Sequence, residues 1–123
     1  MFRSGPYAEL IAQAVQVDDV IYLSGQVGVD EQGKAPDSLV AQTTLAYQHV
    51  KAVLAEFGAT LDNVVEETVF VTDISQTMAQ VQEVFAARAA AYGGRPDVAQ
   101  TLVAVSALVD QAFKIEIKCT AHL

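Results

Sequence analysis

The sequence predicts an α+β domain in which a single sheet carries two helices on one face, in the order ββαβαββ. Three observations predict it. Apolar Phe113, Ile115, Ile117 and Cys119 alternate with Lys114, Glu116, Lys118 and Thr120, the period of two that sends side chains to opposite faces of a strand. Leu39, Thr43, Ala46, Val50, Val53 and Phe57 recur at three- and four-residue steps and form one helical stripe. The run Val64 to Val71 is rich in β-branched residues, which suit a pleated, half-buried surface.

The elements follow in order. Residues Ile11 to Val17 alternate loosely and reach a turn at Asp18-Asp19, and Val20 to Val27 returns as the second strand of a hairpin. Asp30 to Lys34 is a polar loop. The first helix runs from Asp37 to Phe57, capped by Asp37 or Ser38 and ended by Gly58. After the strand Val64–Val71, Ser75 caps a second helix with inner face Met78, Val81, Phe85 and Ala89, broken at Gly93-Gly94-Arg95-Pro96. Strands around Gln100–Val105 and Phe113–His122 complete one domain over residues 1–123.

Counting Gly in place of Tyr, the apolar share is roughly 54%, above the usual 45–50%. Fifteen acids against seven Lys plus Arg give a formal charge of −8. An apolar-rich yet acidic chain is reconciled by burying apolar surface between subunits, so an oligomer is expected. The acidity argues against nucleic-acid binding, where clustered Lys and Arg would be needed. The lone Cys119 excludes an intramolecular disulfide and suits a reducing cytoplasm. On the apolar face of the last strand it is a core residue. No apolar run is long enough for a membrane span, and the N-terminus lacks a signal-peptide core.

Chemistry is harder to place by spacing alone. His49 and His122 have no zinc or iron spacing, so no metal is expected. His49 is a surface residue of the first helix, and His122 shares a face with Glu116 near the chain end. Gly93-Gly94 lacks the Lys-Ser/Thr of a phosphate loop, and Ser24-Gly25 is no nucleophile elbow. Glu116 stands out, because a carboxylate held mid-strand needs a partner or a purpose. The strand before it offers no cation.

Gly5-Pro6-Tyr7, Leu23-Ser24-Gly25-Gln26, Ala41-Gln42-Thr43, Val64-Val65, Thr68-Val69-Phe70-Val71-Thr72-Asp73 and Ile115-Glu116-Ile117 occur in this order over about Gly5 to Ala121. Together they resemble the RidA (YjgF) family of enamine/imine deaminases, also labelled endoribonuclease L-PSP-like. The resemblance implies a chorismate-mutase-like fold, a homotrimer closed by threefold symmetry, and clefts between subunits that take a small molecule. It also implies cofactor-free hydrolysis of 2-enamino or 2-imino acids to 2-keto acids and ammonia.

Carried over by residue, Tyr7, Ser24 and Gly25 line the cleft and Glu116 positions the attacking water. The chain departs from the family pattern elsewhere. An Asn common on the second helix is Gln82. The substrate-binding arginine of the fourth strand is Gln100, the residue two further on is Leu102, and the second acid of the last strand is Lys118. The connection Val109-Asp110-Gln111-Ala112 is one residue longer than usual and lacks its common proline. Glutamine offers one neutral amide where arginine offers two charge-assisted bonds. At about 1.5–3 kcal/mol per such bond the loss weakens carboxylate binding by one to two decades, disfavouring standard 2-imino acid deamination.

Lys118, about 7 Å along the strand from Glu116, reaches the cleft as a displaced cation or pairs with Glu116, or is simply solvated. Glu116 alternatively salt-bridges Lys118 or Lys114 at a subunit boundary. Arg95 is a further candidate cation on a loop. Gln82, Gln100 and Tyr7 around a carboxylate suit a polar or amine-bearing ligand. The functional expectation is a RidA-like trimer that binds a small metabolite and hydrolyses an imine or enamine. The alternative is a non-catalytic ligand-binding or regulatory trimer, and a ribonuclease role conflicts with the charge.

Overall fold

The computed structural model describes residues 1–123. Strands β1 (Ala14–Val17), β2 (Val20–Leu23), β3 (Gln26–Val27), β4 (Val64–Val71), β5 (Ala99–Ala104) and β6 (Ile115–His122) form one mixed sheet. Its order is β1-β2-β6-β4-β5, with β3 paired to β6. Helix α1 is Leu39–Ala55, and α2 (Ile74–Ala79) and α3 (Val81–Tyr92) lie between β4 and β5. That helical crossover lets β4 and β5 run parallel, while β6 is antiparallel to both its neighbours β2 and β4. The fold class is therefore the expected one, with a sixth short strand and a divided second helix.

The extra strand arises because the chain leaves the sheet at Ser24-Gly25. Ser24 donates its backbone N–H to Gln13 O and its hydroxyl to Ala12 O, at 2.8 and 2.7 Å, before β3 rejoins β6. The first strand starts at Ala14 and not at Ile11, which is exposed. In α1 the cap is Ser38, whose hydroxyl accepts from Ala41 N at 3.1 Å. Gly58 takes φ +71° just past the helix, where only glycine is unstrained. The predicted stripe from Leu39 to Val53 is buried against the sheet residues Ile21, Ile115, Ile117 and Ala121.

The second helix corrects the expectation twice. Asp73, not Ser75, is its cap, accepting from Gln76 N at 2.9 Å. A break at Gln80 (φ −114°, ψ 20°) then ends α2 and starts α3. The break resets the helical phase, so a face counted through from Met78 does not carry across. Met78 is 51% exposed, Val81, Phe85 and Ala89 are half-buried, and the buried residues are Thr77 and Val84.

Gln42 explains one sequence marker. Fully buried, it donates to Pro36 O (2.7 Å) and Ala112 O (2.9 Å) and accepts from Lys114 N (2.8 Å), clamping the β5–β6 connection. Gly28 lies against its backbone, where an added Cβ would overlap the Gln42 carbonyl. Backbone cannot rotate away as a side chain can, so Gly28→Ala is expected to cost about 1–3 kcal/mol. An unchanged urea midpoint would show that α1 and this loop can separate without penalty. No helix is long and apolar enough to cross a membrane.

Candidate functional site

Alternation in β6 sends Ile115, Ile117, Cys119 and Ala121 under the helices and turns Glu116, Lys118 and Thr120 to the open face. Glu116 is half-buried there, opposite Val27 and Phe70. Its carboxylate packs directly over Gly25, in space that a Cβ would fill. Burial raises its carboxyl above the ordinary glutamate value. It makes no hydrogen bond or ion pair within the chain, whose only ion pair is Arg88–Glu67. Pairing with Lys118 or Lys114 is thus absent: Lys118 is exposed, and Lys114 is half-buried without an acidic partner.

Ser24 uses its hydroxyl on Ala12 O and so helps to shape the bend that brings Gly25 to Glu116. Tyr7, in the N-terminal turn, is 48% exposed. Gln82 is exposed on α3, and Arg95 is exposed on the α3–β5 loop, at the edge of a polar hollow with Asp62 and Asp97. His122 is exposed, while His49 is half-buried and 2.8 Å from Val29 O, anchoring α1 to the loop before it. Cys119 is core, its thiol pushed up to about 12 by burial and then by the charge of Glu67.

Gln100 and Leu102 lie elsewhere. The β4–β5 register sets Gln100 beside Glu67 and Leu102 beside Val69, on the helix-covered face. One chain therefore separates Glu116 from Gln100 by the thickness of the sheet. The Gln100 amide donates to Glu67 Oε2 at 3.0 Å.

Glu67 is the centre that sequence reasoning missed. Only 2% exposed, it accepts from Tyr47 Oη (2.8 Å), Arg88 Nε (3.1 Å) and Gln100 Nε2 on Oε2, and from Tyr92 Oη (2.6 Å) on Oε1. The phenol pKa values of Tyr47 and Tyr92 are raised well above the usual, by burial first, with the Glu67 carboxylate adding in both. The rings meet edge-to-face with centroids 5.6 Å apart. Arg88 lies 5.7 Å from the Phe85 centroid and 5.5 Å from that of Tyr92. Two signals pointed here: Glu67 shares the strand face of Val69 and Val71, and Val81, Val84, Arg88 and Tyr92 repeat at helical spacing. A charge on each apolar face implies a buried pair.

The family profile described as "Endoribonuclease L-PSP" matches residues 4–123. The RutC family protein YjgH of Escherichia coli is 30% identical over 122 residues, 98% of this chain and 89% of that protein. A mouse 2-iminobutanoate/2-iminopropanoate deaminase is 38% identical over 73 residues, 58% of this chain and 51% of the mouse protein. Several relatives, the mouse enzyme among them, are matched over only about half of their length. The crystal structure of Rv2704 from Mycobacterium tuberculosis, of the YjgF/YER057c/UK114 family, superposes with a TM-score of 0.84 at 29% identity, covering 100% of this chain and 98% of that one. With an α+β sheet of the same architecture and a profile match over nearly its whole length, the chain belongs to the RidA/YjgF family.

Proposed function

We propose that the protein is a homotrimer whose inter-subunit clefts bind a small metabolite and hydrolyse a reactive imine or enamine to a carbonyl compound and ammonia. The observation that carries the reading is Glu116: a half-buried carboxyl group, unpartnered, with a raised pKa, set over a glycine. A group left so in a fold that pairs its other buried carboxylate four times suits a ligand or a water. The separation of Glu116 from Gln100 and Leu102 across the sheet supports a cleft built from two copies. So do the exposed Val15, Val17, Tyr22 and Val103 on the open face.

In this reading Glu116 orients water at the imine carbon. The C–O bond forms as the C=N pair moves to nitrogen, which takes up a proton. The remaining hydroxyl proton then passes to nitrogen, the C–N bond breaks with its electron pair leaving on ammonia, and the C=O bond remains. Glu116 is suited to hold the transferred proton because burial favours its neutral form. No cofactor or metal enters these steps.

The test is ammonia release from 2-aminoacrylate generated in situ by a serine dehydratase, compared with a protein-free control. Acceleration over that control is expected, weaker than an arginine at the Gln100 position would give, with loss in Glu116→Ala. Gly25→Ala should also lose most turnover while keeping its melting temperature near wild type, because the new Cβ displaces only the end of a side chain. The commitment of Gln100 to Glu67 favours a second reading, a non-catalytic ligand-binding trimer. A folded trimer that releases no ammonia but is stabilised by ligand would select it.

A further inference from the structure

We propose that Arg88 is the anion-recognising residue of this protein, presented from α3 in place of a strand cation and held by Glu67. The inference rests on the ligand-binding reading above and assigns its ligand a small carboxylate group. Arg88, Gln100 and Leu102 line one hollow between α3 and the β4–β5 edge, so a cation does reach the region where β5 has none. It arrives from the helix.

The bonding of Arg88 leaves its recognition edge free. Its Nε donates to Glu67, while both terminal nitrogens bond to nothing within the chain and are not sealed from solvent. An arginine serving only a buried carboxylate would use its two-pronged edge. Here Glu67 takes the inner side, and Phe85 and Tyr92 flank the guanidinium. The side chain is 12% exposed, so its outer edge is open. Free space in the hollow is about 10 Å³, room for one water. An organic anion therefore sits over the mouth, against the terminal nitrogens, with Phe85 and Leu102 beneath it.

The other candidate cations fit less well. Lys118 is on the opposite sheet face, and Arg95 lies on an exposed loop beside Asp62 and Asp97. Glu67 both orients Arg88 and offsets its charge. Anion recognition then depends on directed hydrogen bonds, and removing the Glu67 charge should strengthen it.

The experiment titrates pyruvate and its uncharged amide, pyruvamide, into the full chain, with affinities read by protein-observed NMR and calorimetry. Wild type should prefer pyruvate by about tenfold or more, the difference one charge-assisted bond makes. Arg88→Lys, which keeps a charge for Glu67, should weaken pyruvate by about tenfold on the same grounds. Glu67→Gln should tighten pyruvate by about threefold or more as the opposing charge disappears. Glu67→Gln with Arg88→Met, which leaves no buried charge unpaired, should bind both probes alike.

Equal affinity of wild type for the two probes, no binding of either, or pyruvate binding unaltered by Arg88→Lys would each overturn the assignment. The outcome is separable from the proposed catalysis. Glu116→Gln should lose ammonia release, and adding Arg88→Lys to it should still weaken pyruvate by about tenfold. Pyruvate binding without any turnover would sink the deaminase reading and leave Arg88 in place.

Discussion

Replacing Glu67 by Ala is expected to cost the fold about 3–5 kcal/mol, the range for breaking a buried ion pair from one side. The magnitude follows from what is stranded. The Arg88 side chain loses its only hydrogen bond, and Tyr47 Oη, Tyr92 Oη and the Gln100 amide lose theirs in a space of about one water. Glu67→Gln keeps shape and an acceptor oxygen, so its cost should be smaller, about 1–3 kcal/mol. Urea unfolding followed by circular dichroism measures both. An Ala variant within 1 kcal/mol of wild type would mean that water satisfies the cluster and that the network does not hold α3 to the sheet.

Under the proposed hydrolysis, Glu116→Gln should reduce turnover by about 10²–10⁴-fold, the usual contribution of a positioned acid–base group, without loss of the folded state. Stability should move the other way. Because burial raises this carboxyl's pKa, the folded chain holds the proton more tightly than the unfolded chain. That contribution is full below the ordinary glutamate range and is lost as pH rises through the raised value. The melting temperature of wild type relative to Glu116→Gln should therefore fall as pH rises above the ordinary glutamate range. A constant difference over that rise would show that Glu116 titrates normally, and with it would go the electrostatic argument for its role.

Much of the architecture was legible because it rests on periodicity. The last strand reads directly from the alternation of Ile115, Ile117 and Cys119 with Glu116 and Lys118, since a half-buried strand has no other pattern. Helix α1 reads from its stripe and from Gly58. The second helix departs from its sequence pattern where a local backbone turn at Gln80 interrupts an otherwise unbroken helical composition. No residue between Ser75 and Tyr92 is a glycine or proline, so propensity alone signals no interruption.

The site divides in the same way. Motif resemblance led to Glu116, Ser24 and Gly25, which the β2–β3 bend and β6 bring together. It could not show that Gln100 faces Glu67, because the parallel β4–β5 register joins residues 33 apart. Lys118 and Arg95 are candidate cations by their nearness to Glu116 and Gln100 in sequence, yet each is exposed and without an acidic partner within 4 Å. Arg88, twelve residues before Gln100, reaches it through space by way of Glu67.

What the sequence determined by itself was the alternation of faces in the main strands, the order of the main elements and the family, all set by residue types at short fixed separations. Only the tertiary structure decided which charges meet. A carboxylate from β4, a guanidinium and a phenol from α3, a phenol from α1 and an amide from β5 converge because helix packing and strand register bring distant segments together. The cost of burying each polar group alone then obliges them to bond to one another.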